Sequence, residues 1–199
     1  QDYLKNIAEF PRDFFDLKPS NNFLNEIKEY EKIQKKISST DKEIIFLKTH
    51  LANLTINKIY PTINKDYSIC SIYIVRDPRN VILSLKNHYN LDIKECLKFL
   101  MNDKNFICMK NKDLSKGYTL ILDWASNYLS WKKQKNINTI FIKFEDLVLE
   151  QEKTFIHILN ELKKFMNLDI DQKKIENVVK TTNFKYIRQL EEKEGFIEN

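Results

Sequence analysis

The sequence predicts an α/β fold with three layers, in which a mainly parallel sheet is flanked by helices. Three short runs of β-branched and aromatic residues predict strands at residues 43–48, 71–75 and 138–144. Apolar residues that recur every three or four positions predict helices between and after these strands. Strands that alternate with helices favour a parallel sheet, and charged residues collect at the carboxyl ends of these strands.

The composition favours one folded domain over residues 1–199. Hydrophobic residues make up 42% of the chain, and no apolar run is long enough to cross a bilayer. The net charge of +5 comes mainly from lysines spread along the chain, so nucleic-acid binding is not indicated. Cys70, Cys96 and Cys108 lack the spacing of a zinc site or a disulfide framework, which indicates free thiols in a reducing cytoplasm.

The first helix and the first strand lead to a basic tripeptide. Residues 21–37 predict an amphipathic helix, and the strand 43–48 that follows runs into Lys48-Thr49-His50. Lys48 and His50 are two residues apart on a strand, so their side chains are expected on the same face. The carboxyl end of a parallel strand borders the crevice where α/β proteins bind ligands. The alternative is a solvated strand end without a function.

The second strand, 71–75, turns directly into a helix. Asp77 is suited to cap the first free amides, and Pro78 fits the first helical position, where an N–H is not needed. The Arg76 guanidinium, the unpaired amides and the helix dipole would then favour an oxyanion, and the Ser84 hydroxyl would add a donor. The alternative is a strand-helix corner in which Arg76 pairs with a nearby acid.

The remaining elements complete the alternation of helices and strands. Apolar spacing predicts helices at 91–101, 118–134, 151–166 and 171–179, and a last helix that ends near residue 192. The aromatic stripe of the helix 118–134 is expected to lie mostly in the core. Thr182 and Phe184 precede the last helix, where a helix cap and a core phenylalanine are the ordinary interpretation.

The segment from Arg76-Asp77-Pro78-Arg79 to Ser84 resembles the 3′-phosphate-binding segment of the cytosolic-type sulfotransferases. These enzymes have a P-loop-kinase-like architecture and use 3′-phosphoadenosine 5′-phosphosulfate (PAPS) as co-substrate, without a metal. The resemblance implies that Arg76 and Ser84 bind the 3′-phosphate of the nucleotide.

Two further segments resemble the same family in the same order. Lys48-Thr49-His50 is similar to its catalytic segment, which implies that His50 is the general base and that Lys48 contacts the transferring sulfuryl group. An imidazole, which titrates at about pH 6.5, is suited to remove the proton of an acceptor hydroxyl. Thr182 and Phe184 match the residues that contact the adenine.

The resemblance also implies what surrounds this chain and where it departs from the family. Ala52 and Asn53 stand where a proline is often found, and Phe144 stands where tyrosine is usual. The family's 5′-phosphosulfate loop would precede Gln1 and its Arg-Lys-Gly triplet would follow Asn199, so we expect a domain incomplete at both ends.

The predicted activity is sulfuryl transfer from PAPS to a hydroxyl or amine of a small-molecule or glycan acceptor. One alternative is a noncatalytic module that binds PAPS or its product, 3′,5′-bisphosphoadenosine (PAP). Another alternative, a small-molecule kinase of the same architecture, requires a metal-binding carboxylate arrangement that is not found in the sequence.

Overall fold

The computed structural model describes residues 23–39, 44–107 and 119–194. Eight helices are assigned in these ranges: α1 (Phe23–Ser38), α2 (Pro78–Tyr89), α3 (Ile93–Met101), α4 (Trp124–Lys133), α5 (Phe144–Leu149), α6 (Gln151–Leu162), α7 (Gln172–Thr181) and α8 (Phe184–Glu194). Six strands accompany them: β1 (Thr55–Ile56), β2 (Tyr60–Pro61), β3 (Cys70–Val75), β4 (Phe106–Ile107), β5 (Thr119–Leu120) and β6 (Asn138–Lys143).

The predicted α/β class is confirmed. β3 and β6 pair in the parallel sheet, and they coincide with the predicted strands 71–75 and 138–144. The two other sheets are short antiparallel pairs, β1 with β2 and β4 with β5. Within the described ranges, no helix is long and apolar enough to cross a membrane.

The chain divides into two compact units. The first unit contains Gln1–Ser71 and Asp77–Thr139, and the second contains Ile72–Arg76 and Ile140–Asn199. The single domain over residues 1–199 stays a prediction.

The core of the first unit forms around α1. The buried face of this helix presents Ile27, Tyr30, Ile33 and Ile37, which recur at the spacing of one helix face. These side chains cluster with Leu51 and Leu120. The predicted helix 21–37 is confirmed from Phe23 onward, and residues 21–22 lie outside the described residues.

The second unit contains most of β6 and the helices α5 to α8. α6 contacts both α5 and α7, and α7 contacts α8. Among the described residues of this unit, the buried apolar side chains are Ile140 and Ile142 on β6, Ile158 and Leu162 on α6, and Ile175 on α7. α7 begins at the predicted cap, because the Asp171 carboxylate accepts hydrogen bonds from the N–H groups of Lys173 and Lys174.

The predicted strand at 43–48 is wrong. Residue 43 lies outside the described residues, and residues 44–50 are irregular. The run has the residue types of a strand, but a strand also needs a neighbour that supplies hydrogen bonds, and no ladder is assigned to 44–50. Phe46 is accordingly 72% exposed, while Ile45 packs against the α1 core.

The predicted helix at 118–134 starts too early, and its first residue, 118, lies outside the described residues. Residues 119–120 form β5, and Leu122 adopts a left-handed conformation with φ of 65°, which interrupts a right-handed helix. α4 then begins after Asp123, whose carboxylate accepts a hydrogen bond from the Ser126 N–H at 2.9 Å. Leu120 is buried because of its place on β5, not because of helical spacing.

Candidate functional site

Lys48 and His50 lie in one segment of the first unit, residues 48–53. Both residues are exposed, whereas Leu51, Ala52 and Asn53 are almost fully buried. The segment therefore passes from the core to the surface within three residues. Its exposed end carries Lys48 and His50, the two residues predicted to act in catalysis.

Three side chains of α4 hydrogen-bond to the backbone of the 48–53 segment. They are Asn127, whose Nδ2 donates to the His50 carbonyl at 3.3 Å, Trp131, whose Nε1 donates to the Leu51 carbonyl at 3.0 Å, and Ser130, whose Oγ accepts from the Asn53 N–H at 2.9 Å. Residues three and four apart lie on the same face of a helix, so one face of α4 makes all three of these bonds.

The backbone groups that lie between these three bonds are bonded as well. Leu51 N–H donates to Thr49 Oγ1 at 3.1 Å, Ala52 N–H donates to the Leu120 carbonyl at 2.9 Å, and Thr62 Oγ1 donates to the Ala52 carbonyl at 2.9 Å. Every backbone donor and acceptor from the His50 carbonyl to the Asn53 N–H thus has a partner. Tertiary hydrogen bonds fix the loop path where the related family often has a proline.

The buried Asn53 side chain has its hydrogen-bonding groups paired with a second side-chain amide, that of Asn136. Asn53 is 0% exposed, and its Nδ2 donates to Asn136 Oδ1 at 3.0 Å. Asn136 Nδ2 donates back to Asn53 Oδ1 at 3.2 Å and also to the Ile63 carbonyl at 3.1 Å. This reciprocal pair satisfies the polar atoms that burial would otherwise leave unpaired.

The start of α2 has the predicted cap. Asp77 precedes Pro78 and accepts a hydrogen bond from the Arg79 N–H at 2.9 Å. The Arg79 side chain also pairs with the Asp77 carboxylate, at 2.5 Å from Nη2 to Oδ2. The Arg79 side-chain hydrogen bond and then the Arg79 N–H lower the pKa of Asp77 to about 2.

Ser84 lies in α2 with an exposed side chain. α2 contains no buried residue, so the hydroxyl of Ser84 is not turned into the core. Ser84 belongs to the first unit and Arg76 to the second.

Arg76 lies in the second unit directly after β3. Its guanidinium carbon is 4.4 Å from the centroid of the Phe144 ring, at the start of α5. Its Nε is buried and has no hydrogen-bond partner among the described residues. A cation–π contact with a ring face does not use the N–H donors of the guanidinium.

Thr182 and Phe184 lie at the junction of α7 and α8. Thr182 ends α7, and its Oγ1 donates to the Val178 carbonyl at 2.7 Å and accepts from Gln151 Nε2 at 2.9 Å. The predicted cap at the start of the last helix is wrong for Thr182, because Thr182 is the C-cap of α7 and the Lys185 N–H of α8 donates to Asn183 Oδ1 at 2.9 Å. The core interpretation of Phe184 is wrong, because Phe184 is 65% exposed at the start of α8.

Four side chains that shape this geometry were not predicted from the sequence. They are Asn127, Ser130, Trp131 and Phe144. The helical spacing of Trp131 does predict burial, which is confirmed, since Trp131 is 5% exposed. Periodicity identifies a buried face but cannot identify which backbone carbonyl an indole N–H will reach.

In the parts of the chain that the structure describes, no group of three or more His, Cys, Asp or Glu side chains could hold a metal ion. Activity without a metal stays a prediction.

The chain is similar to known proteins in both sequence and fold. The model of the sulfotransferase domain family matches residues 6–194. No curated protein sequence matches the chain. Among solved structures, the chain is similar to mouse sulfotransferase SULT7A1 complexed with PAP, with a TM-score of 0.53 and 19% identity.

The match to that mouse structure has a defined extent. It covers 86% of this chain but only 62% of the mouse chain. At this identity the match establishes the fold, and the family follows from the sequence match over residues 6–194. The chain belongs to the sulfotransferase domain family.

Proposed function

We propose that this protein transfers a sulfuryl group from PAPS to a hydroxyl or amine of a small-molecule or glycan acceptor. His50 takes the proton from the acceptor, and the acceptor oxygen or nitrogen forms a bond to sulfur. The bond between sulfur and the 5′-phosphate oxygen breaks, and PAP leaves with that electron pair. Lys48 contacts the sulfuryl oxygens and offsets the charge that moves to the leaving phosphate.

The observation that carries this proposal is that the Nε of Arg76 is buried without a hydrogen-bond partner among the described residues. A buried donor without a partner is rare in folded proteins, and a guanidinium recognises a phosphate through several N–H groups at once. Arg76 combines such an unpaired Nε with a guanidinium that lies over the Phe144 ring. These features of Arg76 suit the binding of the 3′-phosphate, and a role for Ser84 in that binding stays a prediction.

Thr182 and Phe184 are proposed to contact the adenine. A hydroxyl has one hydrogen and two acceptor positions, and Thr182 Oγ1 already donates to Val178 and accepts from Gln151. The remaining acceptor position suits the adenine amino group. The exposed Phe184 ring offers a face on which a base can stack.

We also propose a cytoplasmic location. Cys70 and Cys96 are free thiols in the described residues, as suits a reducing compartment.

The first test measures nucleotide binding by isothermal titration calorimetry with PAP and with adenosine 5′-phosphate. The two ligands differ in the 3′-phosphate, so their affinity ratio reports its recognition. We expect Arg76→Ala to weaken PAP binding by about 10- to 150-fold, as for the loss of charged hydrogen bonds, and to leave adenosine 5′-phosphate binding nearly unchanged.

Arg79→Ala is the matched control, because Arg79 is exposed and paired with Asp77. It should keep the wild-type affinity ratio. Equal loss of the ratio in both variants, or an unchanged ratio in Arg76→Ala, would remove Arg76 from the 3′-phosphate site.

The second test measures transfer of radiolabelled sulfate from PAPS to a panel of phenols, aliphatic alcohols and amino sugars. We expect His50→Ala to lower kcat by about 10²- to 10⁴-fold and to keep PAP binding. His157→Ala is the control, since His157 is an exposed histidine of α6. PAP binding by the wild type without transfer to any acceptor would favour the noncatalytic module.

A further inference from the structure

We propose that Asn127 is a positioning residue for His50, and that it fixes the direction in which the imidazole meets the acceptor. This inference rests on the proposed role of His50 as general base. Asn127 itself contacts neither substrate in this proposal. It acts on the backbone from which the His50 side chain projects.

The amide of Asn127 joins two segments of the first unit. Its Nδ2 donates to the His50 carbonyl at 3.3 Å and to the Ile121 carbonyl at 2.8 Å. An amide group has two hydrogens, so both can be used in these two bonds. Asn127 therefore ties the exposed end of the 48–53 segment to the turn that precedes α4.

The neighbouring bonds make the effect of Asn127 local. Leu51 and Asn53 are buried, and their backbone groups bond to Trp131 and Ser130 rather than to the Asn127 side chain. The Asn127 bond is made to the carbonyl of His50 itself. Loss of the Asn127 side-chain bonds should therefore allow the exposed end of the 48–53 segment, which carries His50, to move, while the buried residues 51–53 keep their place.

Movement at this point matters because proton transfer depends steeply on distance. A general base must come within about 2.6–3.2 Å of the proton-bearing atom. A misplacement of about 1 Å can lower a rate by roughly 100-fold. Nucleotide binding does not require this alignment, so kcat should change while the KM for PAPS stays constant.

The test variant is Asn127→Asp, which keeps the side-chain shape but replaces the donor with a carboxylate oxygen. Two backbone carbonyls would then face an acceptor. We expect kcat to fall at least tenfold, with the KM for PAPS and the Kd for PAP within twofold of the wild type. The matched control is Asn177→Asp, the same change at an exposed position of α7, which should leave kcat unchanged.

A measurement without turnover tests the same idea. The chain has three histidines, His50, His88 and His157, so their imidazole resonances can be assigned by NMR with ring-labelled histidine and a His50→Ala spectrum. Asn127→Asp should shift the His50 resonances and leave the other two in place. A change in stability alone would not produce this selective shift.

The outcomes separate this inference from the proposed function. Full transfer by His50→Ala would remove the general-base role, and the positioning role in catalysis with it. Unchanged kcat and unchanged His50 resonances in Asn127→Asp would overturn only the positioning role. Loss of PAP binding together with kcat in Asn127→Asp would also overturn it, because Asn127 would then support the fold as a whole.

Discussion

The 48–53 segment and the start of α2 both present candidate site residues, but they are held by different means. The Asp77 cap is satisfied by a residue two positions away. The backbone bonds of His50 and Asn53 are instead made by α4 residues 77 positions away, and the bond of Leu51 by one 80 positions away. One structure is local, and the other exists only when α4 has packed against the segment.

This difference determines how each region responds to change. A capped helix start can form in a short piece of chain, and its stability depends on one carboxylate and its neighbours. The 48–53 segment has no local alternative for its carbonyls once it is buried. Substitutions in its partners should therefore cost more than substitutions at the α2 cap.

Trp131→Ala should lower the free energy of unfolding more than any other substitution considered for these two regions. It leaves a cavity in the core of the first unit and removes the donor for the Leu51 carbonyl, so we expect a loss of about 3–5 kcal/mol in the free energy of unfolding. Urea denaturation followed by circular dichroism measures this. Trp124→Ala is the control, because Trp124 is only half-buried and should cost less. Equal losses would mean that the indole bond has no special role.

Thr62→Val should have the next largest effect. Valine has nearly the shape of threonine but cannot donate to the Ala52 carbonyl or accept from the Leu54 N–H, both of which Thr62 bonds at 2.9 Å. We expect a loss of about 1–3 kcal/mol. The exposed Thr55, changed to valine, is the matched control and should leave stability nearly unchanged. A neutral Thr62→Val would show that water can replace the hydroxyl.

Asp77→Asn should have the smallest effect, and that effect should depend on pH. Asparagine caps helices about as well as aspartate, so the substitution isolates the charge paired with Arg79. The folded pKa of about 2 lies below the unfolded value of about 3.9. The charge therefore stabilises the folded state above about pH 4, and this contribution is lost as the pH falls through about 2.

The measurement is the difference in free energy of unfolding between wild type and Asp77→Asn from pH 6 to pH 2. The difference should shrink toward acid pH. Arg79→Ala should show the same trend, because Arg79 is the cause of the low pKa. A difference that does not vary with pH would mean that the ion pair contributes nothing to stability.

Features that depend on neighbouring residues were predictable from the sequence. The α2 cap, the α7 cap and the helical face of α1 follow from side chains within one or two turns, and all three are confirmed. The motifs that led to Lys48, His50, Arg76, Ser84, Thr182 and Phe184 are also local. The sulfotransferase family was therefore identifiable from the order of these motifs, and the sequence match agrees.

The errors occurred where distant residues decide the outcome. Residues 43–48 have the composition of a strand, but strand formation requires a partner that composition does not supply. Residues 119–123 share the apolar spacing of α4, but pairing with β4 and the left-handed Leu122 separate them from the helix.

Local chemistry thus fixed the helix starts, the apolar faces and the motifs that identify the family. Tertiary structure decided which of the apolar runs became strands, how the 48–53 segment reaches the surface, and that Phe144 stacks on Arg76. The physical reason is distance along the chain. A cap is satisfied by atoms that are always nearby, whereas a buried carbonyl or a stacked guanidinium depends on partners that only folding brings into contact.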